Sequence, residues 1–144
     1  MKKAILTTAL TLFATGALAV ECPSTANGQL AQNKGQVWLL SKGAVDQGWW
    51  LQGTITMAKD STPLQATSVV FTRPELAVFS APTVCYYQYL DTAQQIQKLE
   101  ARNDNVADTS KLDKSFVRVE DSVKCSLTAA TTETAATTCE WQWK

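Results

Sequence analysis

Trp49-Trp50-Leu51-Gln52-Gly53-Thr54-Ile55-Thr56-Met57 is the clearest alternation in the chain. Trp49, Leu51, Gly53, Ile55 and Met57 share one parity, and Trp50, Gln52, Thr54 and Thr56 share the other. Successive side chains of a strand point to opposite faces, so this stretch reads as a half-buried strand with Trp50 on its wetter side. Upstream, Gln36-Val37-Trp38-Leu39-Leu40 is a short, almost continuous apolar run, as expected of a strand covered on both faces. The two runs, joined through Gly43 and Asp46-Gln47-Gly48, predict a hairpin.

Strand signals continue downstream. Ser68-Val69-Val70-Phe71-Thr72 predicts a third strand, stopped by Arg73-Pro74. Residues 76–80 predict a fourth, ended by Ala81-Pro82, and residues 84–90, with Cys85, Tyr86, Tyr87 and Tyr89, a fifth. Proline between these segments suits strand ends and edges. Residues 91–102 change character. Asp91 followed three positions later by Gln94 approximates a capping box, and Ala93, Ile96 and Leu99 recur at helical spacing, so one helix of about three turns is predicted. Residues 103–114 are polar and punctuated, as in a loop. Strands resume at Phe116-Val117-Arg118-Val119-Glu120 and at residues 123–127, and Cys139-Glu140-Trp141-Gln142-Trp143-Lys144 alternates strictly. Between the last two, Thr128-Ala129-Ala130-Thr131-Thr132-Glu133 recurs almost verbatim as Thr134-Ala135-Ala136-Thr137-Thr138-Cys139, a duplicated hairpin tip. The expected fold is mainly β: an antiparallel sandwich or rolled sheet of about seven to eight strands with one short helix.

The N-terminus has the form of a secretory signal. Lys2 and Lys3 form a charged region, residues 4–14 a short apolar one, and Ala17-Leu18-Ala19 a small-residue cleavage pattern. The apolar stretch, interrupted by Thr7, Thr8 and Thr11, is too short for a membrane span. Glu21 directly before Cys22 departs from a lipoprotein signal. Cleavage after Ala19 is therefore expected, leaving residues 20–144 as one disulfide-stapled β-rich domain, periplasmic or secreted, without stable membrane insertion. Removing residues 1–19 takes away two lysines and no acid, so 13 basic and 13 acidic residues become 11 and 13, a net charge of −2. The charges are interspersed, which excludes the basic footprint of a nucleic-acid or anionic-membrane binder.

All four cysteines, Cys22, Cys85, Cys125 and Cys139, lie beyond residue 19. An even count in a short exported chain reads as a disulfide framework. A structural zinc site needs close cysteine pairs, and none is present. Of three possible connectivities, parity favours one. Cys125 shares a face with Val123 and Leu127, Cys139 shares one with Trp141 and Trp143, and both sit at the base of one hairpin. Cys125 with Cys139 and Cys22 with Cys85 are the favoured pairs.

The chain has no histidine, which removes Ser-His-Asp and Cys-His nucleophile systems, imidazole metal sites and the usual proton shuttle near neutral pH. Oxidised cysteines are not thiolate nucleophiles. No S-x-x-K, G-x-S-x-G, Walker loop or G-x-G-x-x-G occurs. No catalytic residue, metal ligand or cofactor is assigned. Carboxylate chemistry survives through Glu75, Glu120, Asp121 and Glu140, which lie in or beside strands at solvated positions, so a carboxylate-based hydrolase is the least favoured function. Asn103-Asp104-Asn105 with Asp108 lacks the spacing of a calcium loop. Aromatic residues give the positive hint. Parity sends Trp49, Tyr87, Tyr89, Trp141 and Trp143 inward with the cysteines and leaves Trp50 and Tyr86 outward, as candidate ligand-binding residues. A loop or the helix covering them is the competing reading.

The Cys22-Pro23 opening, Gly48-Trp49-Trp50, Cys85-Tyr86-Tyr87 and the terminal Cys-x-Trp together resemble small exported bacterial proteins grouped as domains of unknown function. That resemblance implies an exported β-rich fold, and it carries no activity and no functional residues. In size, export and disulfides the chain is also similar to periplasmic lysozyme inhibitors, with no residue match to their inhibitory loop. The expected function is a non-catalytic binding module whose partner is a protein, a hydrolase that it inhibits being one such partner. A glycan-binding module is the alternative.

Overall fold

A computed structural model describes residues 18–25, 30–33, 37–52, 64–72, 82–91 and 93–144. The architecture is mainly β and antiparallel. Eight strands are formed among these residues: β1 (Leu30–Asn33), β2 (Val37–Leu40), β3 (Trp49–Gln52), β4 (Ala66–Thr72), β5 (Thr83–Leu90), β6 (Ile96–Asn103), β7 (Phe116–Val119) and β8 (Ser122–Ser126). Six of them make one sheet in the order β3-β6-β5-β4-β8-β7, and β1 and β2 form a separate ribbon. No described helix is long and apolar enough to cross a membrane.

The predicted hairpin between the first two apolar runs is not formed. β2 pairs with β1, from Leu30 opposite Leu40 to Asn33 opposite Val37, whereas β3 pairs with β6, from Trp49 opposite Asn103 to Gln52 opposite Glu100. The reason lies in the connection, which the sequence presents as a loop and which folds as a five-residue helix, α1 (Lys42–Asp46). The Ser41 hydroxyl accepts the Ala44 amide at 3.2 Å, capping its N-terminus, and Ala44 is fully buried. Beyond it Gly48 adopts φ 88°, a left-handed conformation that suits glycine, and its Cα passes the Asn103 side chain. The buried Asn103 amide donates to Gln47 O at 3.0 Å and thereby docks the end of α1 against β6.

The helix predicted over residues 91–102 is instead the second arm of the β5–β6 hairpin, with Leu90 opposite Ile96 through to Thr83 opposite Asn103. Asp91 is a cap, but of a turn. Its Oδ1 accepts the amides of Ala93 at 2.8 Å and Gln95 at 2.9 Å, and Gln94 sits at φ 62°. Those bonds, the Gln95 amide foremost, hold the Asp91 carboxyl below the usual carboxylate range. Downstream, Leu99, Ala101 and Asn103 are buried at a period of two, while Ile96, apolar in the helical reading, is 68% exposed. The long ladder with β5 outweighs a weak helical spacing.

β4, β5, β7 and β8 fall close to their predicted places, whereas β1 has no counterpart among the predicted strands. The predicted strand over residues 76–80 and the continuation of the second run past Gln52 lie outside the described residues. The C-terminal alternation is kept, with Cys139 and Trp141 buried, but it is held by isolated bridges, Trp141 to Val20 and Trp143 to Ala107. The Thr-Ala repeat closes as a hairpin tip through Thr128 and Thr137 and through Thr131 and Thr134.

The buried face of the six-stranded sheet carries Trp49, Val69, Phe71, Cys85, Tyr87, Leu99, Ala101, Val123 and Cys125, and Leu30 of the ribbon joins the same core. Phe71 and Trp141 meet edge to face, with centroids 5.4 Å apart, and Phe71 stacks on Phe116 at 5.4 Å. The disulfides join Cys22 to Cys85 and Cys125 to Cys139, the pairs that parity favours, and no free cysteine remains among the described residues. Two such bridges point to an oxidising, extracytoplasmic compartment.

Beside the first bridge, the Tyr87 hydroxyl donates to Pro23 O in a fully buried setting. Burial pushes the Tyr87 phenol far above its usual range, and burial first, then a neighbouring carboxylate, raises Tyr86 and Tyr89 in the same direction. The fold therefore holds the neutral phenol. Stability is fully present below the unfolded tyrosine value, about pH 10. Above it the unfolded chain loses protons that the folded chain keeps, so stability falls as pH rises. Denaturant midpoints measured on either side of that value should decline on the alkaline side, and Tyr87→Phe should flatten the decline. A midpoint independent of pH there would contradict the buried-phenol account.

Candidate ligand-binding face

The opposite face of the six-stranded sheet turns away from this core. Its register aligns Trp50 with Arg102, Arg102 with Val84, Val84 with Val70, Val70 with Lys124, and Lys124 with Val117. A neighbouring row aligns Gln52, Glu100, Tyr86, Ser68 and Ser126. The two aromatics singled out by parity are therefore on one surface. Trp50 is 39% exposed, and Tyr86 is half-buried.

Trp50 and Tyr86 are linked by an ion pair. The Arg102 guanidinium lies 5.8 Å from the Trp50 ring centroid, a cation–π distance. It donates to Glu100 Oε2 from Nε at 3.0 Å and from Nη2 at 2.6 Å. Glu100 is Tyr86's cross-strand neighbour, and after burial it is the next cause raising the Tyr86 phenol, with Arg102 opposing. At neutral pH Tyr86 thus presents a neutral ring and a hydroxyl that can donate.

A groove of about 490 Å³ opens beside Tyr86, within the range of about 300–1,000 Å³ usual for small-molecule sites. Its floor is Ser68, Val70, Tyr86, Gln88 and Ser126, with Lys98 and Lys124 also in the lining. A register shift between Ala66 and Ser68 on β4 lies within it. Bulges bend the strand that carries them. Here the intervening Thr67 bonds outside the β4–β5 register: its hydroxyl donates to Tyr86 O at 3.2 Å and its carbonyl accepts the Leu127 amide at 2.9 Å. The structure thus brings Tyr86 into the groove and leaves Trp50 outside its lining.

Lys98, Lys124, Ser68, Ser126 and Gln88 were missed by sequence reasoning. The helix predicted over residues 91–102 hides the parity of Lys98, and Lys124 is an ordinary polar position between Val123 and Cys125. The β5–β6 pairing, which sets Gln88 opposite Lys98, is the signal that could have found those two, while Ser68, Lys124 and Ser126 follow only from the β4–β8 pairing. Among the carboxylates weighed for catalysis, Glu120 and Asp121 form the β7–β8 turn, Glu120 at φ 52°, and Glu140 is exposed. Glu75 lies outside the described residues. In the Asn103–Asp108 cluster, Asn103 Oδ1 accepts the Asn105 amide at 2.9 Å and Asp108 Oδ1 accepts the Ser110 amide at 3.1 Å. Among the described residues no group of three or more His, Cys, Asp or Glu side chains is arranged to hold a metal ion.

Fold and site define a disulfide-stapled antiparallel β protein with a polar groove on the outer face of its main sheet. No family model, no curated protein and no solved structure matches this chain.

Proposed function

We propose that this chain is an exported, non-catalytic binding module, acting in the periplasm or outside the cell, whose partner is a protein. The supporting observation is the edge of the main sheet. Among the described residues β7 pairs only with β8, and its Val117 and Val119 side chains are 58% and 54% exposed. A strand edge carries backbone donors and acceptors ready for another strand, and proteins that do not use such an edge generally blunt it. An extended segment of a partner, apolar at alternate positions to meet the two valines, would add to β7 by backbone pairing. A hydrolase loop inserted in this way would be inhibited.

Val117→Glu combined with Val119→Lys tests this. Glu at position 117 faces Lys124 across the ladder, so the hairpin is kept while the edge becomes charged. The oxidised protein should enrich a partner from envelope extract, and the double variant should lose that partner while retaining the wild-type circular dichroism spectrum. Capture of the same proteins by both would sink the edge reading. A dimer of the chain that the variant abolishes would assign the edge to self-assembly instead.

A further inference from the structure

We propose that the groove beside Tyr86 is a binding site for an acidic carbohydrate, an oligosaccharide bearing carboxylate groups, separate from the β7 edge. Three observations carry this. The first is charge: Lys98 and Lys124 are the ionisable side chains of the lining besides its tyrosines, and no carboxylate shares it. Neither lysine is engaged in an ion pair among the described residues, whereas Lys42, Arg102 and Lys111 are. Unopposed cations favour an anionic ligand.

The second is spacing. Lys98 is on β6 and Lys124 on β8, with β5 and β4 between them. Three strand spacings separate β6 from β8 by about 14 Å. Lys98 also lies four residues along β6 from Arg102, the residue in the register row of Lys124, so the two backbones are about 20 Å apart. A single small anion cannot occupy both ends, and an elongated ligand with negative groups along its length can. The third is the floor between the lysines. Ser68, Ser126 and Thr67 supply hydroxyls and Gln88 an amide, Tyr86 supplies an aromatic surface, and Val70 is the one aliphatic residue. An acidic peptide would need apolar recesses for its other side chains. A polyhydroxylated ring needs what is present, an aromatic surface to lie on and donors and acceptors around its rim. The bulge at Thr67 gives that floor its place, bending β4 where the ligand would sit.

The test is calorimetric titration of the oxidised protein with tetragalacturonate, with maltotetraose as the neutral control and tetraglutamate as an anion of equal charge. Tetragalacturonate should bind saturably and the other two should not. Lys98→Gln and Lys124→Gln, both at exposed positions, should each weaken binding about fivefold and together about twentyfold. Lys42→Gln, on α1 and away from the groove, should change nothing. Tyr86→Phe should retain most of the affinity and Tyr86→Leu should lose it, with circular dichroism confirming that both fold. Should Tyr86→Leu prove unfolded, amide shift changes at Ser68 and Ser126 on adding tetragalacturonate take its place. No saturable uronate binding, equal binding of tetraglutamate, or indifference to the double lysine change would each overturn the proposal.

Discussion

Replacing Cys22 and Cys85 together by alanine is expected to remove about 4 kcal/mol of stability, and replacing Cys125 and Cys139 about 3 kcal/mol, on the loop-closure account. The difference comes from loop size: 63 residues separate the first pair and 14 the second. The first bridge also holds more of the fold together. It ties the N-terminal segment to β5 in the middle of the main sheet, next to the Tyr87–Pro23 hydrogen bond, and two residues from Val20, which pairs with Trp141. Cutting the tether releases a segment whose other attachments are few. Against a total of about 5–15 kcal/mol for a domain of this size, that loss is severe, and the melting temperature should fall by roughly 12–16 °C. Guanidinium titrations of the two double variants and the wild type measure the two losses, and thermal scans measure the shift in melting temperature. The order is the decisive result: a larger loss at Cys125–Cys139 would mean that the N-terminal segment stays docked without its bridge, and the entropic account would fail. Replacing both partners of each pair avoids leaving a reactive thiol that could pair wrongly.

The strands legible in the sequence were those whose burial is one-sided. Trp49 buried beside Trp50 exposed, and Cys85 and Tyr87 buried on either side of Tyr86, follow from parity because a strand has only two faces. The same rule orders the cysteines, since two residues that both face the core near one hairpin base are within reach of each other. Partnership was not legible. Which strand lies beside which depends on contacts between residues far apart in sequence, so the proximity of residues 37–40 and 49–52 suggested a hairpin that α1 prevents. Asp91 shows a second limit. Its carboxylate satisfies backbone amides at the start of a helix or inside a turn, and only the β5 ladder, with eight residue pairs to β6 and five to β4, decides between them. The candidate site inherited both limits. Trp50 and Tyr86 reached the outer face by parity alone, while Lys98 and Lys124 required the sheet order, which sets β6 and β8 on either side of β5 and β4.

Trp141→Ala is expected to cost about 3–5 kcal/mol, the range for truncating a large aromatic in a packed core. Trp141 is 2% exposed and sits at the centre of an aromatic cluster, 5.4 Å from Phe71, 5.5 Å from Trp143 and 6.3 Å from Trp49 between ring centroids. Its backbone exchanges two hydrogen bonds with Val20, at 2.6 and 3.0 Å, and these survive truncation, so the loss measures the side chain. Trp141→Phe should behave differently. The indole Nε1 is buried with no hydrogen-bond partner among the described residues. A stranded donor carries a desolvation penalty of about 1–3 kcal/mol. Phenylalanine removes that donor and keeps a ring against Phe71 and Trp49, giving up only the volume of the second ring. The two effects oppose each other, and Trp141→Phe should fall within about 1.5 kcal/mol of the wild type. Denaturant unfolding of the three proteins gives the comparison directly. If phenylalanine proves as costly as alanine, the indole N–H must be satisfied by a buried water, and the cluster would be held by that bond as well as by packing. If phenylalanine is close to neutral, the C-terminal tail is anchored by aromatic packing and by its bridge to Val20, and the indole nitrogen contributes nothing to either.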